Sequence, residues 1–298
     1  SILLISPLSD RFSGIGNFGS PALGVWRLRA ACRAAGHIAD IYDCNLGREI
    51  KKCESLKELV EEFYVHCSEQ FDMNSYNWYG FSILNDCLPL TLGLANLIKI
   101  KHPLAKQLAG NAEATLNYQD IFDKSKVDGI LVGESDNSLP QILSGEVPST
   151  VKGCHWFNRG GRMSPEEFYE SYQKMSFNEM PLLEYGIKTM RLYAKDKSVP
   201  DDRMRAMLLR EISTEAASSE LGIEHEEYVK KLYSCMTLRW VTMDHCPLPC
   251  TYCSTARIPD YATGEGVKMA TFIPSEQVPE LALKAKREVP GLLAIYDD

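Results

Sequence analysis

At 298 residues, 45% hydrophobic and 24% charged, the chain has enough apolar material for two ordinary domains of ~100–200 residues each. A formal net charge of −8 speaks against binding nucleic acid by bulk electrostatics, which needs a basic face. The longest apolar runs, such as Ile2–Ile5 and Gly129–Val132, fall far short of the ~20 residues of a membrane span, and no basic segment precedes an apolar stretch, so neither a membrane anchor nor a signal peptide is expected. Of the ten cysteines, seven are scattered singly: Cys32, Cys44, Cys53, Cys67, Cys87, Cys154 and Cys235. They read as small buried hydrophobes in a reduced, cytoplasmic protein, because a chain with a core of this size does not need disulfides.

The chain opens on ILLISP (2–7), a short apolar run ended by Ser-Pro, as a fully buried strand is. A Gly-rich loop follows. Pro21 then starts a helical pattern with Leu23, Trp26, Leu28, Ala31 and Ala34 toward one side, and Gly36 closes it as a C-cap. Residues 37–43 return as strand, 54–71 as helix, 76–83 as strand, 88–102 as helix and 104–110 as a short strand. Residues 117–125 read as helix, 127–134 as strand and 137–145 as a short helix. Five strands with intervening helices predict a parallel sheet covered on both faces.

In such a sheet, ligands bind beyond the carboxyl ends of the strands. Those ends carry Ser6, Ser82, the run Gly110, Asn111, Glu113 and Thr115, and then Gly133 and Glu134. Small residues let a bulky ligand approach the backbone; loops of any such fold are also small and polar, and composition alone favours neither account. Gly14-x-Gly16-x-x-Gly19 matches the dinucleotide fingerprint, but it begins several residues after the strand and Pro21 follows it, so a nicotinamide site is not expected. Asp43 follows the second strand, as a turn residue or as a ribose-binding acid.

Residues 150–164 suggest a small hairpin turning at Gly160-Gly161, and Ser164-Pro165 starts a helix as N-cap and first position. Residues 201–234 are charged and helical in pattern, with Glu226–Lys230 and Glu227–Lys231 as i,i+4 pairs on a solvated face. His225 reads as a surface residue and His155 as a satisfied structural one.

DHCPLPCTYCSTA (244–256) follows the strand-like run 238–244 and spaces three thiols as Cys246-x3-Cys250-x2-Cys253. Structural zinc takes four ligands, commonly as two CxxC pairs, and no second pair exists; Cys235 or His245 remains open as a fourth ligand. An electron-transfer cluster also takes four thiolates. Three on a cubane leave one iron open for chemistry. Pro247 and Pro249 disfavour helix and shape an irregular loop, like the βα loops at the top of a barrel.

Cys246-x3-Cys250-x-Tyr252-Cys253, with its aromatic before the last cysteine, resembles the radical SAM signature. SPALGVWRLRAACRAAGHIADIYD, AGNAEAT and VDGILVGESDNSLPQIL resemble the amino-terminal domain of the cobalamin-binding members of that family. The resemblance implies an α/β protein: a Rossmann-like parallel-sheet domain binding cobalamin (1–148), a linker hairpin and helical region (149–235), and the first βα units of a partial TIM-like radical SAM barrel (236–298). It implies a [4Fe-4S] cluster on Cys246, Cys250 and Cys253, with S-adenosyl-L-methionine (SAM) on its open iron. Tyr252 would lie near the adenine, and Asp297 and Asp298 near the adenosylmethionine amino group. Cobalamin would sit at the carboxyl edge, against Ser6, Ser82, Gly110, Asn111, Glu113, Thr115, Gly133 and Glu134. Asn111 departs from the more usual Gly-Gly-x-x-Ala-Thr of that family, and the Asp-x-His-x-x-Gly motif that supplies a histidine beneath cobalt is absent.

One helix (275–289) and one strand (291–298) follow the cysteine loop, fewer than the roughly six βα units such a barrel usually has, so the expectation is a chain carrying only the opening of the barrel. The implied function is a cobalamin-dependent radical SAM methyltransferase, using a 5′-deoxyadenosyl radical and methylcobalamin on a small-molecule or peptide substrate, with an external electron donor. A rearrangement or cyclisation enzyme, a non-catalytic cobalamin module with a structural cysteine loop, and a nucleotide-binding oxidoreductase using Gly14 to Gly19 are the alternatives.

Overall fold

A computed structural model describes residues 1–6, 23–43, 53–84, 87–157 and 214–227, with short pieces at 237–240, 243–244, 271–272, 275–276, 278–280, 283 and 292–295. Strand and helix alternate from the start: β1 (Ile2–Ile5), α1 (Leu23–Ala34), β2 (Ala39–Tyr42), α2 (Leu56–Gln70), β3 (Trp78–Ser82), α3 (Leu88–Lys101) and β4 (Lys106–Gly110). Next come α4 (Ala112–Leu116), α5 (Tyr118–Lys124), β5 (Gly129–Leu131), α6 (Ser138–Leu143) and β6 (Cys154–Trp156). Among the described residues these strands form one sheet, in the order β2-β1-β3-β4-β5-β6. The first five are parallel and β6 is antiparallel to β5.

Strand alternation splits the core into two layers. Leu3, Ile5, Tyr79, Phe81, Ala109 and Ile130 face one side and pack with residues of α2 and α3 such as Val60, Phe63, Leu94 and Ile98. Ile2, Leu4, Leu108 and Leu131 face the other and pack with Val25 and Cys32 of α1 and Leu139 and Ile142 of α6. Four buried β1 residues in succession are what a central parallel strand requires. Local chemistry sets the helix ends. Ser55 accepts from the Glu58 N–H at 3.2 Å to cap α2. Gly36, at φ 85°, ends α1 while its N–H reaches the Arg33 carbonyl.

Three features depart from the sequence reading. The run 110–115, read as loop, contains α4, so Glu113 and Thr115 are helical. Cys154–Trp156, read as part of a hairpin, adds a sixth strand to the sheet by pairing with β5; the Gly160-Gly161 turn and the Ser164 cap lie outside the described residues. In α1 the buried face is Val25, Trp26, Arg27, Ala31 and Cys32, while Leu28 is half-buried and Ala34 exposed. His155 is buried between the Tyr118 and Phe122 rings, as a structural histidine, and His225 is exposed.

Further along lie α7 (Thr214–Leu221), β7 (Thr237–Trp240), β8 (Met243–Asp244), β9 (Thr271–Phe272) and β10 (Leu292–Ile295). β10 pairs with β7 in parallel and β8 with β9 antiparallel. A parallel pair needs a crossover between its strands. Asp244 stands opposite Thr271, so the backbone on either side of residues 245–270 is held together. No helix among the described residues is long and apolar enough to cross a membrane.

Candidate functional site

The strand order fixes where a ligand has room. From β1 the chain moves to one side for β2 and then to the other for β3, so the connections leaving β1 and β3 part above the sheet. That divergence is a topological switch point, where an open α/β sheet usually has its binding crevice, at the carboxyl ends of the strands. Ser6 and Ser82 stand at its two sides, directly after β1 and at the end of β3. The Ser6 hydroxyl is buried and donates to Asp43 Oδ1 at 3.0 Å, also buried, just past β2.

Ser82 is paired in register with Gly110 across β3 and β4. Above that pair, Asn111 Nδ2 donates to Ser82 Oγ at 2.9 Å, and Asn111 Oδ1 accepts the Ala112 N–H at 2.6 Å. Asn111 caps α4 with φ 81° and ψ 179°, a backbone region that non-glycine residues rarely occupy. A Cβ on Gly110 would meet only ordinary contacts, 3.8 Å from Leu131 Cβ and 3.9 Å from its carbonyl oxygen.

At β5 the arrangement is locked from within. Thr115 is buried and its Oγ1 accepts the Gly133 N–H at 3.3 Å, while Gly133 has φ 71°. Glu134 and Asp136 both bind Arg27 of α1: Asp136 in a two-pronged contact at 3.0 and 2.6 Å, Glu134 through the same guanidinium. Burial works against the Arg27 charge, but the attraction of Glu134 and Asp136 outweighs it and holds the guanidinium above its ordinary pKa. Nearby in sequence, Ser138 Oγ is buried and has no hydrogen-bond partner.

The predicted cobalamin contacts thus divide. Ser82, Gly110 and Asn111 come together beside the crevice, and Ser6 stands across it. Thr115 and Gly133 join each other. Glu113 accepts from Asn117 Nδ2 at 2.8 Å within its own helix. The Glu134 carboxylate is paired with Arg27. Sequence reasoning did not single out Arg27, Asp136 or Ser138, and it left Asp43 open. Arg27 was legible, since Leu23, Arg27 and Ala31 are four apart and put a charge on the apolar stripe.

Cys246, Cys250, Tyr252, Cys253, Asp297 and Asp298 lie outside the described residues. Their flanks do not: the cysteines follow β8, and the two aspartates follow β10, the parallel neighbour of β7. No group of three or more His, Cys, Asp or Glu that could hold a metal occurs among the described residues. Four of the isolated cysteines, Cys32, Cys67, Cys87 and Cys154, are buried and outside any disulfide. Burial pushes the Cys32 and Cys67 thiols up to about 12, which keeps them neutral and unreactive.

No protein-family model matches this sequence, and no curated protein matches it. Solved structures do match. OxsB, a cobalamin-dependent S-adenosylmethionine radical enzyme solved with aqua-cobalamin and S-adenosylmethionine, superposes with a TM-score of 0.57 at 15% identity, over 100% of this chain and 34% of its own. TsrM from Kitasatospora setae, a radical S-adenosylmethionine methyltransferase, matches with cobalamin and a [4Fe-4S] cluster bound at a TM-score of 0.51, 12% identity, over 100% of this chain and 47% of that one. With tryptophan and the analogue aza-SAM bound, TsrM matches at 0.53 and 12% identity, with the same coverage. This chain shares the fold of the portions of OxsB and TsrM that it covers. It spans less than half the length of either neighbour. In that fold the six-stranded sheet is the Rossmann-like part, and the parallel β7–β10 pair agrees with the opening of a barrel.

Proposed function

We propose that the protein is a cobalamin-dependent radical SAM enzyme and that its reaction is methyl transfer. The observation that carries this reading is the crevice between β1 and β3, flanked by Ser6 and Ser82, in a fold shared with enzymes solved with cobalamin. The residues there suit such a ligand. Hydroxyls, a side-chain amide and bare backbone can meet the amide-rich rim of a corrinoid. At the second centre the donor set is three thiolates, which suits a cubane with one open iron.

Residues 1–148 form the corrinoid domain in this reading, 149–235 bridge, and 236–298 open the barrel. Ser6, Ser82, Gly110 and Asn111 hold the corrinoid. Thr115, Arg27 and Asp136 set the height of the β5 loop carrying Gly133 and Glu134. Cys246, Cys250 and Cys253 would hold the cluster, Tyr252 would lie near the adenine, and Asp297 and Asp298 near the amino group of S-adenosylmethionine. When bound, the corrinoid supplies a methyl carrier and the cluster supplies the electron that cleaves the sulfonium. The protein's part is to hold the two centres, keep water out and leave a path for a small-molecule or peptide substrate and for an external electron donor. Cytoplasmic residence and a lack of nucleic-acid partners belong to the same proposal, from the reduced cysteines and the charge of −8. Methyl transfer is inferred from the likeness to TsrM, a methyltransferase; OxsB is a radical enzyme with no transfer in its name, and rearrangement or cyclisation is the second reading.

The test is anaerobic reconstitution with iron, sulfide and hydroxocobalamin, followed by metal analysis. We expect cobalt and about four irons per chain, with iron alone lost in Cys250→Ala. Zinc alone, with no cobalt, would overturn the reading. Deoxyadenosine with a methylated product separates methyl transfer from deoxyadenosine with an isomerised or cyclised one.

A further inference from the structure

Asn111 is held in a backbone conformation that costs a non-glycine residue energy and persists only where its surroundings over-determine it. What its side chain does there can be read from elementary hydrogen-bond rules. The Ala112 N–H can only donate, so the amide atom facing it at 2.6 Å is the oxygen. The other amide atom is then the nitrogen, and it faces Ser82 Oγ at 2.9 Å. An NH2 group has no acceptor capacity, so the Ser82 oxygen accepts. The Ser82 proton therefore points away from Asn111, and no hydrogen bond from it to another described residue exists. Ser82 is half-buried at the end of β3, one of the two strands flanking the crevice.

We propose that Asn111 is a positioning residue that turns the Ser82 hydroxyl into a fixed hydrogen-bond donor toward the crevice, so that the ligand atom seated there is an acceptor. On the corrinoid reading, on which this inference rests, that atom is an amide carbonyl, a ring nitrogen or a phosphate oxygen of the corrinoid. The arrangement presents a directed O–H where a freely rotating serine would offer either polarity.

The test is the affinity of the 298-residue chain for hydroxocobalamin by equilibrium dialysis, with the Tm of each unliganded variant as the check on folding. Asn111→Asp keeps the shape of the side chain and the bond to the Ala112 N–H. Its carboxylate can only accept, so Ser82 has to turn its proton inward. Asn111→Asp should therefore weaken binding about as much as Ser82→Ala, about fivefold to tenfold for one hydrogen bond, and the double variant should lose no more. Asn111→Gly leaves Ser82 free to rotate and should weaken binding less, about twofold. A purely structural role for Asn111 gives the opposite order: aspartate harmless, because it still caps α4 and bridges the strands, and glycine worse. That order, or an aspartate variant that binds like the wild type, overturns the proposal. A wild-type chain that retains no hydroxocobalamin overturns the corrinoid reading itself, and this inference with it.

Discussion

Arg27 shows most directly how a single side chain shapes the ligand edge. It lies on the buried face of α1 and draws Glu134 and Asp136, from the loop after β5, onto one guanidinium. Removing one partner of a buried ion cluster leaves the others uncompensated. Arg27→Met should cost about 3 kcal/mol in urea unfolding, the low end for a buried pair because Glu134 retains some solvent contact. Adding Glu134→Gln and Asp136→Asn to that variant should recover most of the loss, because the repelling charges are gone. At this scale the sequence was informative about chemistry and poor about commitment. Ser82, Gly110 and Asn111 could be picked out as small polar residues after strands. Nothing in the sequence showed that the Glu134 carboxylate was already engaged, because its partner lies 107 positions away. Ser6 was legible as an edge residue; its bond to Asp43 depends on β1 and β2 being neighbours, which is a fact of topology.

At the level of elements, strands and long helices were legible because they repeat their pattern over several turns or several alternations. β1, α2, β3 and α3 each fall within their predicted spans. Short elements were not. α4 has five residues, too few for a helical period, and it begins from an asparagine with positive φ that no pattern announces. β6 has three residues, and its partner is decided by what its rings meet. Gly129 of β5 is opposite Trp156 of β6. A Cβ on Gly129 would lie 2.6 Å from Trp156 Cε3 and 3.0 Å from Leu108 Cδ2, so the indole ring sits where a side chain would be. Gly129→Ala should lower stability by about 1–3 kcal/mol as overpacking does, with a smaller loss in a Trp156→Leu background; equal losses in the two backgrounds would show that the ring is not the obstacle.

For the molecule as a whole, pH acts through His102, which receives the Tyr64 hydroxyl at 3.0 Å on Nε2 and links α2 to the turn before β4. Burial lowers its pKa below the ordinary 6.5, against a smaller opposing pull from Asp72. Folding thus favours the neutral ring. The stabilisation is complete above 6.5 and is lost as pH falls below that value through the folded-state pKa. Urea midpoints at about pH 7.5 and about pH 5 should differ in the wild type, and should differ less in His102→Gln, which cannot titrate. The two-part architecture was legible in the order of patterns along the chain, since a run of βα units precedes a thiol-rich loop. The three-thiol spacing of the cysteine loop rests on the sequence by itself, because Cys246, Cys250 and Cys253 lie outside the described residues.

The direction of β6 settles how the chain departs from the sheet. A sixth parallel strand would deliver the backbone at the same rim as the crevice, and the next segment could step straight over the ligand. The antiparallel strand sends it the other way: Phe157 follows Trp156 and donates its N–H to the carbonyl of Asp128, just before β5, at the rim remote from the crevice. A cysteine loop that is to face a ligand held at Ser6 and Ser82 therefore needs a connection long enough to travel back along the height of the sheet, about 15 Å for strands of this length. On the proposed reading, residues 158–236 would have that distance to cover. Shortening them would act on the distance between two chemistries while leaving each site's own residues untouched.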